Sequence, residues 1–154
     1  MTSQLINLNN INFTNFNTDL CMNKTKKVFL GGTCNDSKWR DILISHLTID
    51  YFNPVVDDWT PECMIEERKQ REICNYCLYT ITPKMTGVYS IAEVIDDSNK
   101  KPEKTLFCLL NKDDNDYFTE SQLLSLQQVL KMVQRNGSKT FTDLKSVSEY
   151  LNGE

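Results

Sequence analysis

Short apolar runs alternate along the chain with segments whose apolar residues recur every three or four positions, the pattern of strands separated by helices. KKVFLGGT (residues 26–33) is an apolar run ending in two glycines and predicts a first strand. NDSKWRDILISHL follows, with Trp39, Ile42, Leu43 and Leu47 at helical spacing behind a polar cap at Asp36 or Ser37. IDYFNPVV (49–56) predicts a second strand, and DDWTPE (57–62) a polar loop. CMIEERKQREICNY (63–76) has the composition of a helix, with Ile65 and Ile73 available to face the sheet. A third strand is expected over 77–82, a helix over 89–98 and a fourth strand over 105–110. After the loop NKDDNDYFT comes ESQLLSLQQVLKMVQRNG, in which Leu123, Leu126, Leu130 and Val133 share one helical face and Asn136-Gly137 closes the end. A short strand over 139–141 and a helix over 142–151 finish the alternation.

Strands and helices alternating at these lengths imply an α/β fold of the flavodoxin-like or Rossmann-like kind, with about five parallel strands and helices on both faces. Residues 1–25, rich in Asn and Thr without periodicity, are expected to form a flexible or edge N-terminal arm, and residues 26–154 one domain. A net charge of −4 offers no basic footprint for a nucleic-acid polymer. The first residues lack the pattern of a signal peptide and no apolar run is long enough to cross a membrane, so a cytoplasmic protein is expected. In that compartment the six cysteines are expected to be reduced thiols rather than a disulfide framework. Cys74 and Cys77 form a CxxC, but a tetrahedral metal needs two further ligands, and His46 is the only histidine. Neither a metal nor a cofactor is expected, and His46 is a plain helix-face residue.

In a parallel sheet the loops after the first three strands converge at one edge, where open α/β folds bind ligands. That edge gathers residues 31–34, 57–59 and 86–90. The glycines Gly31 and Gly32, with Thr33, let backbone N–H groups approach a ligand, although neither a dinucleotide fingerprint nor a P-loop spacing is present. Trp39 and Trp59 offer flat apolar faces for a base, and Tyr89 and Ser90 offer hydroxyls. Asp57, Asp58 and Glu93 supply carboxylates, although Asp57 and Asp58 also suit a solvated or capping loop. Paired carboxylates at an apolar cleft fit glycosyl chemistry, in which one stabilises or attacks an anomeric carbon while the other handles a proton.

VFLGGT, YFNPVVDDWTPEC and above all CLYTITPKMTGVYSIAEV resemble the nucleoside 2-deoxyribosyltransferases, in particular the deoxyribosyltransferase-like branch of bacterial and phage proteins. The resemblance covers about residues 27–110. It implies that Glu93, early in the helix after a strand ending in Pro, is the nucleophile. It would attack C1′ of a 2′-deoxynucleoside and hold the sugar as an ester until a second base, or water, accepts it. The family's second acid falls on Glu67, with Glu66 and Glu72 as near alternatives. An aromatic hydroxyl of the family's first strand falls on Phe29, so the hydrogen bond that holds the nucleophile must come from elsewhere, such as Tyr89. Residues 85–87 replace an acidic position before the nucleophile. In related deoxynucleotide hydrolases serines hold a 5′-phosphate; the resemblance offers Ser90 and Thr86 as their equivalents here, with the N–H groups of the 87–90 turn, from Gly87 on, as an alternative seat for the phosphate. The resemblance further implies a homo-oligomer acting on a small-molecule deoxynucleoside or nucleotide and a free base. A non-catalytic nucleotide-binding protein and an assembly module, using the arm and the helix around 123–133, are the competing expectations.

Overall fold

The computed structural model describes residues 25–153, so the expectation for the arm lies outside the described residues except at Thr25. Its elements are β1 (Lys27–Gly32), α1 (Trp39–Ile44), β2 (Asp50–Phe52), α2 (Pro61–Ile73), β3 (Tyr76–Ile81), α3 (Tyr89–Lys100) and β4 (Thr105–Leu109). A hairpin of β5 (Lys112–Asp113) and β6 (Asp116–Tyr117) precedes α4 (Glu120–Arg135), β7 (Lys139–Phe141) and α5 (Leu144–Asn152). The sheet has five strands in the order β2-β1-β3-β4-β7, all parallel. This is the flavodoxin-like α/β arrangement that the alternation implies.

Both faces of the sheet are covered, and alternate residues of each strand serve opposite cores. Leu30, Leu78, Leu106 and Cys108 pack with Leu43 of α1 and Val147 and Leu151 of α5. Phe29, Tyr79, Ile81 and Phe107 pack on the other face with Val94 of α3 and Leu126 and Val133 of α4. Burying a side chain such as Leu78 stabilises the fold by about 1.5–3 kcal/mol. α4 turns the expected face inward, Leu123 and Leu130 being partly buried beside Leu126 and Val133. Its start is fixed by a capping box in which Thr119 and Gln122 satisfy one another's backbone N–H groups. Gly137, at φ +97°, terminates it.

Three expectations are corrected. β2 is three residues long because Pro54, which has no N–H for the ladder, follows it closely. Residues 112–117, expected as loop, form the β5–β6 hairpin, and Asp114 takes a positive φ at its tip. Ile65 and Ile73 do not face the sheet: they are 64% and 59% exposed, while Gln70 is buried. α2 therefore turns a polar stripe inward.

Candidate functional site

β1 and β3 are adjacent where the strand order reverses, so the loops that leave their carboxyl ends open a crevice between them. The turn after β1 is dictated by glycine. Gly32 has φ +119°, and a Cβ there would lie 2.0 Å from the carbonyl oxygen of Thr80. A Cβ on Gly31 would meet the rings of Phe29 and Tyr79 at 2.9 Å, so its absence leaves an open floor. Phe29 itself is buried and stacks on Phe52 at 5.9 Å between ring centroids.

One amide of the turn, that of Thr33, is already engaged and is not open to a ligand as expected. The N–H of Thr33 donates to Thr80 O at 2.9 Å. The carbonyls of the turn accept from buried Arg40: Nε donates to Leu30 O (3.0 Å), Nη1 to Thr33 O (2.6 Å) and Nη2 to Gly32 O (3.3 Å). Across the crevice, Asn35 Nδ2 donates to Lys84 O (2.9 Å) and Thr86 Oγ1 (2.8 Å), tying the first loop to the one before α3.

Above this floor lies a cavity of about 270 Å³. Gly31, Gly32 and Phe29 line it, with Val55, Val56 and Trp59 on the rim after β2, Tyr89, Ser90 and Glu93 from α3, Glu67 from α2, and Arg40 and Cys34. An adjoining hollow of about 240 Å³ shares Gly32, Cys34, Tyr89 and Ser90, and adds Thr33, Asn35, Thr86 and Gly87.

Glu93 comes from the second turn of α3 and its side chain is 14% exposed. Arg71 of α2 donates from Nη1 to Glu93 Oε1 at 2.8 Å. The same guanidinium grips Asp97, one turn further along α3, through Nη2–H to Oδ1 (2.8 Å) and Nε–H to Oδ2 (3.3 Å). Asp97 also accepts from the Tyr79 hydroxyl and lies 3.5 Å from Lys101 Nζ. Burial and the Asp97 charge push the Tyr79 phenol far up, so it stays a donor. Burial works against the charge on Arg71, but its hydrogen bonds to Asp97 and the surrounding negative groups raise its pKa.

Glu93 and Glu67 are both perturbed. Burial raises the Glu93 carboxyl above its ordinary value; Arg71 opposes this, and Glu67 and Asp97 add to it. Glu67 is raised by burial, against the pull of Arg71 and Arg40. Two carboxyls at one cavity, each pushed toward neutral pH, can divide the roles of base and acid.

Most of the expected site residues converge here: Phe29, Gly31, Gly32, Trp59, Tyr89, Ser90, Glu67 and Glu93 line the cavity, and Thr33, Thr86 and Gly87 its neighbour. Trp39 is a correction. It is 1% exposed in the core under α1 and α5, where its Nε1–H donates to Thr33 O at 2.8 Å, so it offers no face to a base. Asp57 and Asp58 are exposed in their loop and are not among the residues lining the cavity. Tyr89 is 68% exposed, and the group that hydrogen-bonds Glu93 is Arg71. Glu66 turns to Gln70 and Glu72 to Lys101. Sequence reasoning missed Arg40 and Arg71. For Arg71 a signal exists, because it lies four residues after Glu67 and so shares its helical face.

Among the described residues no group of three His, Cys, Asp or Glu side chains could hold a metal ion. No helix there is long and apolar enough to cross a membrane.

A parallel α/β sheet with a carboxylate-bearing crevice at its carboxyl edge defines a small-molecule site. The chain belongs to the family described as nucleoside 2-deoxyribosyltransferase like, whose model matches residues 25–102, from β1 through α3 and so across the whole crevice. No curated protein matches the chain.

Proposed function

We propose that the protein transfers 2-deoxyribose between bases, with Glu93 as nucleophile and Glu67 as the proton-handling acid. The observation that carries this reading is the pair of half-buried carboxyls on one small cavity in a member of this family, one held by Arg71 and the other not. A carboxylate oxygen of Glu93 forms a bond to C1′ as the C1′–N bond breaks, and the departing base leaves with the proton of Glu67. A nitrogen of the second base then attacks C1′ and releases Glu93, and its proton returns to Glu67. Water in place of that base gives hydrolysis by the same residues.

The apolar floor of Phe29 and Gly31 suits a sugar without a 2′-hydroxyl, since a polar group there would be desolvated unpaired. Val55, Val56 and Trp59, all exposed at the rim, suit the flat faces of a base. Thr86 and Ser90 in the neighbouring hollow favour acceptance of a 5′-monophosphate. A homo-oligomer belongs to the same reading: Met64, Ile65 and Ile73 lie exposed on α2, the helix that follows this rim.

The test is incubation with the four common 2′-deoxynucleosides and their 5′-monophosphates, with and without free adenine, guanine, cytosine or thymine, following base release and exchange. Exchange or release that falls by at least about a thousandfold in Glu93→Ala is expected. Tight binding without turnover, unchanged in Glu93→Gln, would instead make this a nucleotide-binding protein.

A further inference from the structure

Resting on the reading of this cavity as a glycosyl-transfer centre, we propose that Arg71 is a positioning residue that divides charge and proton between the two carboxyls, keeping Glu93 ionised and leaving the proton to Glu67. The helices are placed for this. Glu93 and Asp97 stand four residues apart on one face of α3, and Glu67 and Arg71 four apart on one face of α2. Where the faces meet, the guanidinium lies between two carboxylates of α3 and one turn beyond the carboxyl of its own helix.

The fork of Arg71 is used asymmetrically. Nε and Nη2 are committed to Asp97, and only Nη1 reaches Glu93. Asp97 is in turn fixed by Tyr79 from the sheet and Lys101 from the end of α3, so the guanidinium is anchored on the side away from the cavity. Its side chain is only 13% exposed, which limits both its screening and its freedom to swing to Glu67. Glu67 feels Arg71 and Arg40 through space alone, and Arg40 is already engaged with three carbonyls of the β1 turn.

Two carboxyls in a shared cavity titrate as a pair, and the second proton leaves reluctantly. The charged groups facing the pair are Arg71 from α2, Asp97 from α3 and Arg40 from α1, and the Cys34 thiol and Tyr89 phenol share the cavity lining. Of these cations only Arg71 makes a hydrogen-bonded contact with either member, so the first negative charge belongs on Glu93. The same contact assists the second half of the reaction. When the C1′–O bond of the ester breaks, the electron pair returns to a carboxylate that already faces a fixed cation. Arg71 holds Oε1, which leaves Oε2 to attack carbon.

The test needs no turnover to begin. The full chain, labelled with ¹³C at glutamate Cδ, is titrated by NMR as wild type, Arg71→Gln and Arg71→Lys, with Glu93→Gln and Glu67→Gln to assign the two signals. In the wild type Glu93 is expected to ionise at lower pH than Glu67. In Arg71→Gln the Glu93 midpoint rises by at least about one pH unit and the order is lost, and Arg71→Lys restores it in part. Glu67 ionising first in the wild type, or a Glu93 midpoint unmoved in Arg71→Gln, overturns the proposal, and the wild-type order decides it even if Arg71→Gln fails to fold. With thymidine and 2′-deoxyadenosine as probes, the acid limb of single-turnover base release should move up by the same amount in Arg71→Gln. A wild type inactive on every substrate of the preceding experiment but with the expected titration order would remove the glycosyl reading and leave the role of Arg71 standing. An active wild type with an unmoved midpoint would do the reverse.

Discussion

Asp97→Asn tests the support beneath the site. Asp97 is 2% exposed and holds Arg71 through two hydrogen bonds, accepts from Tyr79 and faces Lys101. Asparagine keeps the shape but removes the charge, and its amide N–H₂ must point at one of these donors. Removing one partner of a buried pair costs about 3–5 kcal/mol, because the other charge is left uncompensated. Arg71 keeps Glu93 as a partner, which places the loss near the lower end, about 3 kcal/mol. For a domain of this size each kcal/mol shifts Tm by about 4 °C, so Tm should fall by about 12 °C. Urea denaturation of wild type and variant at neutral pH measures the loss directly, the midpoint falling while the slope stays constant. Tyr79→Phe, which removes one hydrogen bond to a charged acceptor, should cost less, about 1.5–3 kcal/mol. A loss below about 1 kcal/mol for Asp97→Asn would show that the Arg71 cluster is not the buried, mutually dependent network described here.

Gly32→Ala should be far more damaging than Gly87→Ala. At position 32 a positive φ meets a backbone clash and the loss should exceed about 3 kcal/mol, whereas around Gly87 nothing lies within 4 Å and the change should stay within about 1 kcal/mol by denaturation. Glu67→Gln should stabilise the protein at neutral pH. A carboxyl whose folded pKa is raised loses stability as pH rises through that value, so the gain should shrink as pH falls toward the unfolded value of about 4.3 and vanish below it. Thermal melts from pH 4 to 8 decide the point, and a gain that grows toward pH 4 contradicts it.

The fold was readable because period and punctuation agree along most of the chain. Runs such as 77–82 and 105–110 are buried on both sides and carry no competing period. The face of α4 announced itself through Leu123, Leu126, Leu130 and Val133, and Glu93 stood out as one carboxylate in an otherwise apolar stretch. Trp39 misled because two tryptophans near one edge look alike in sequence. Their fates separate only when α1 packs under β1, which seats Trp39 against Thr33 and beneath the Arg40 guanidinium, 4.4 Å from its ring centroid. Asp57 and Asp58 differ from Glu67 by what surrounds them: an exposed loop solvates a carboxylate, whereas the wall of the cavity takes Glu67 partly out of water.

α2 explains why apolar period alone could not find the site. Its apolar residues Ile65 and Ile73 point outward, and its inward face carries Glu67, Gln70 and Arg71. Such a face is stable only where its most buried members are answered from elsewhere. Gln70 bridges Lys27 of β1 and Glu66, and Arg71 is answered by α3. The inward stripe is held by partners that are distant in sequence and close only after β1, β3 and α3 are in place. A helix whose hydrophobic pattern contradicts its packing is the local inconsistency expected where chemistry rather than stability has chosen the residues. On α2 the contradiction falls on the residues that face Glu93, so the misplaced apolar face of Ile65 and Ile73 and the acid at Glu67 have the same physical origin.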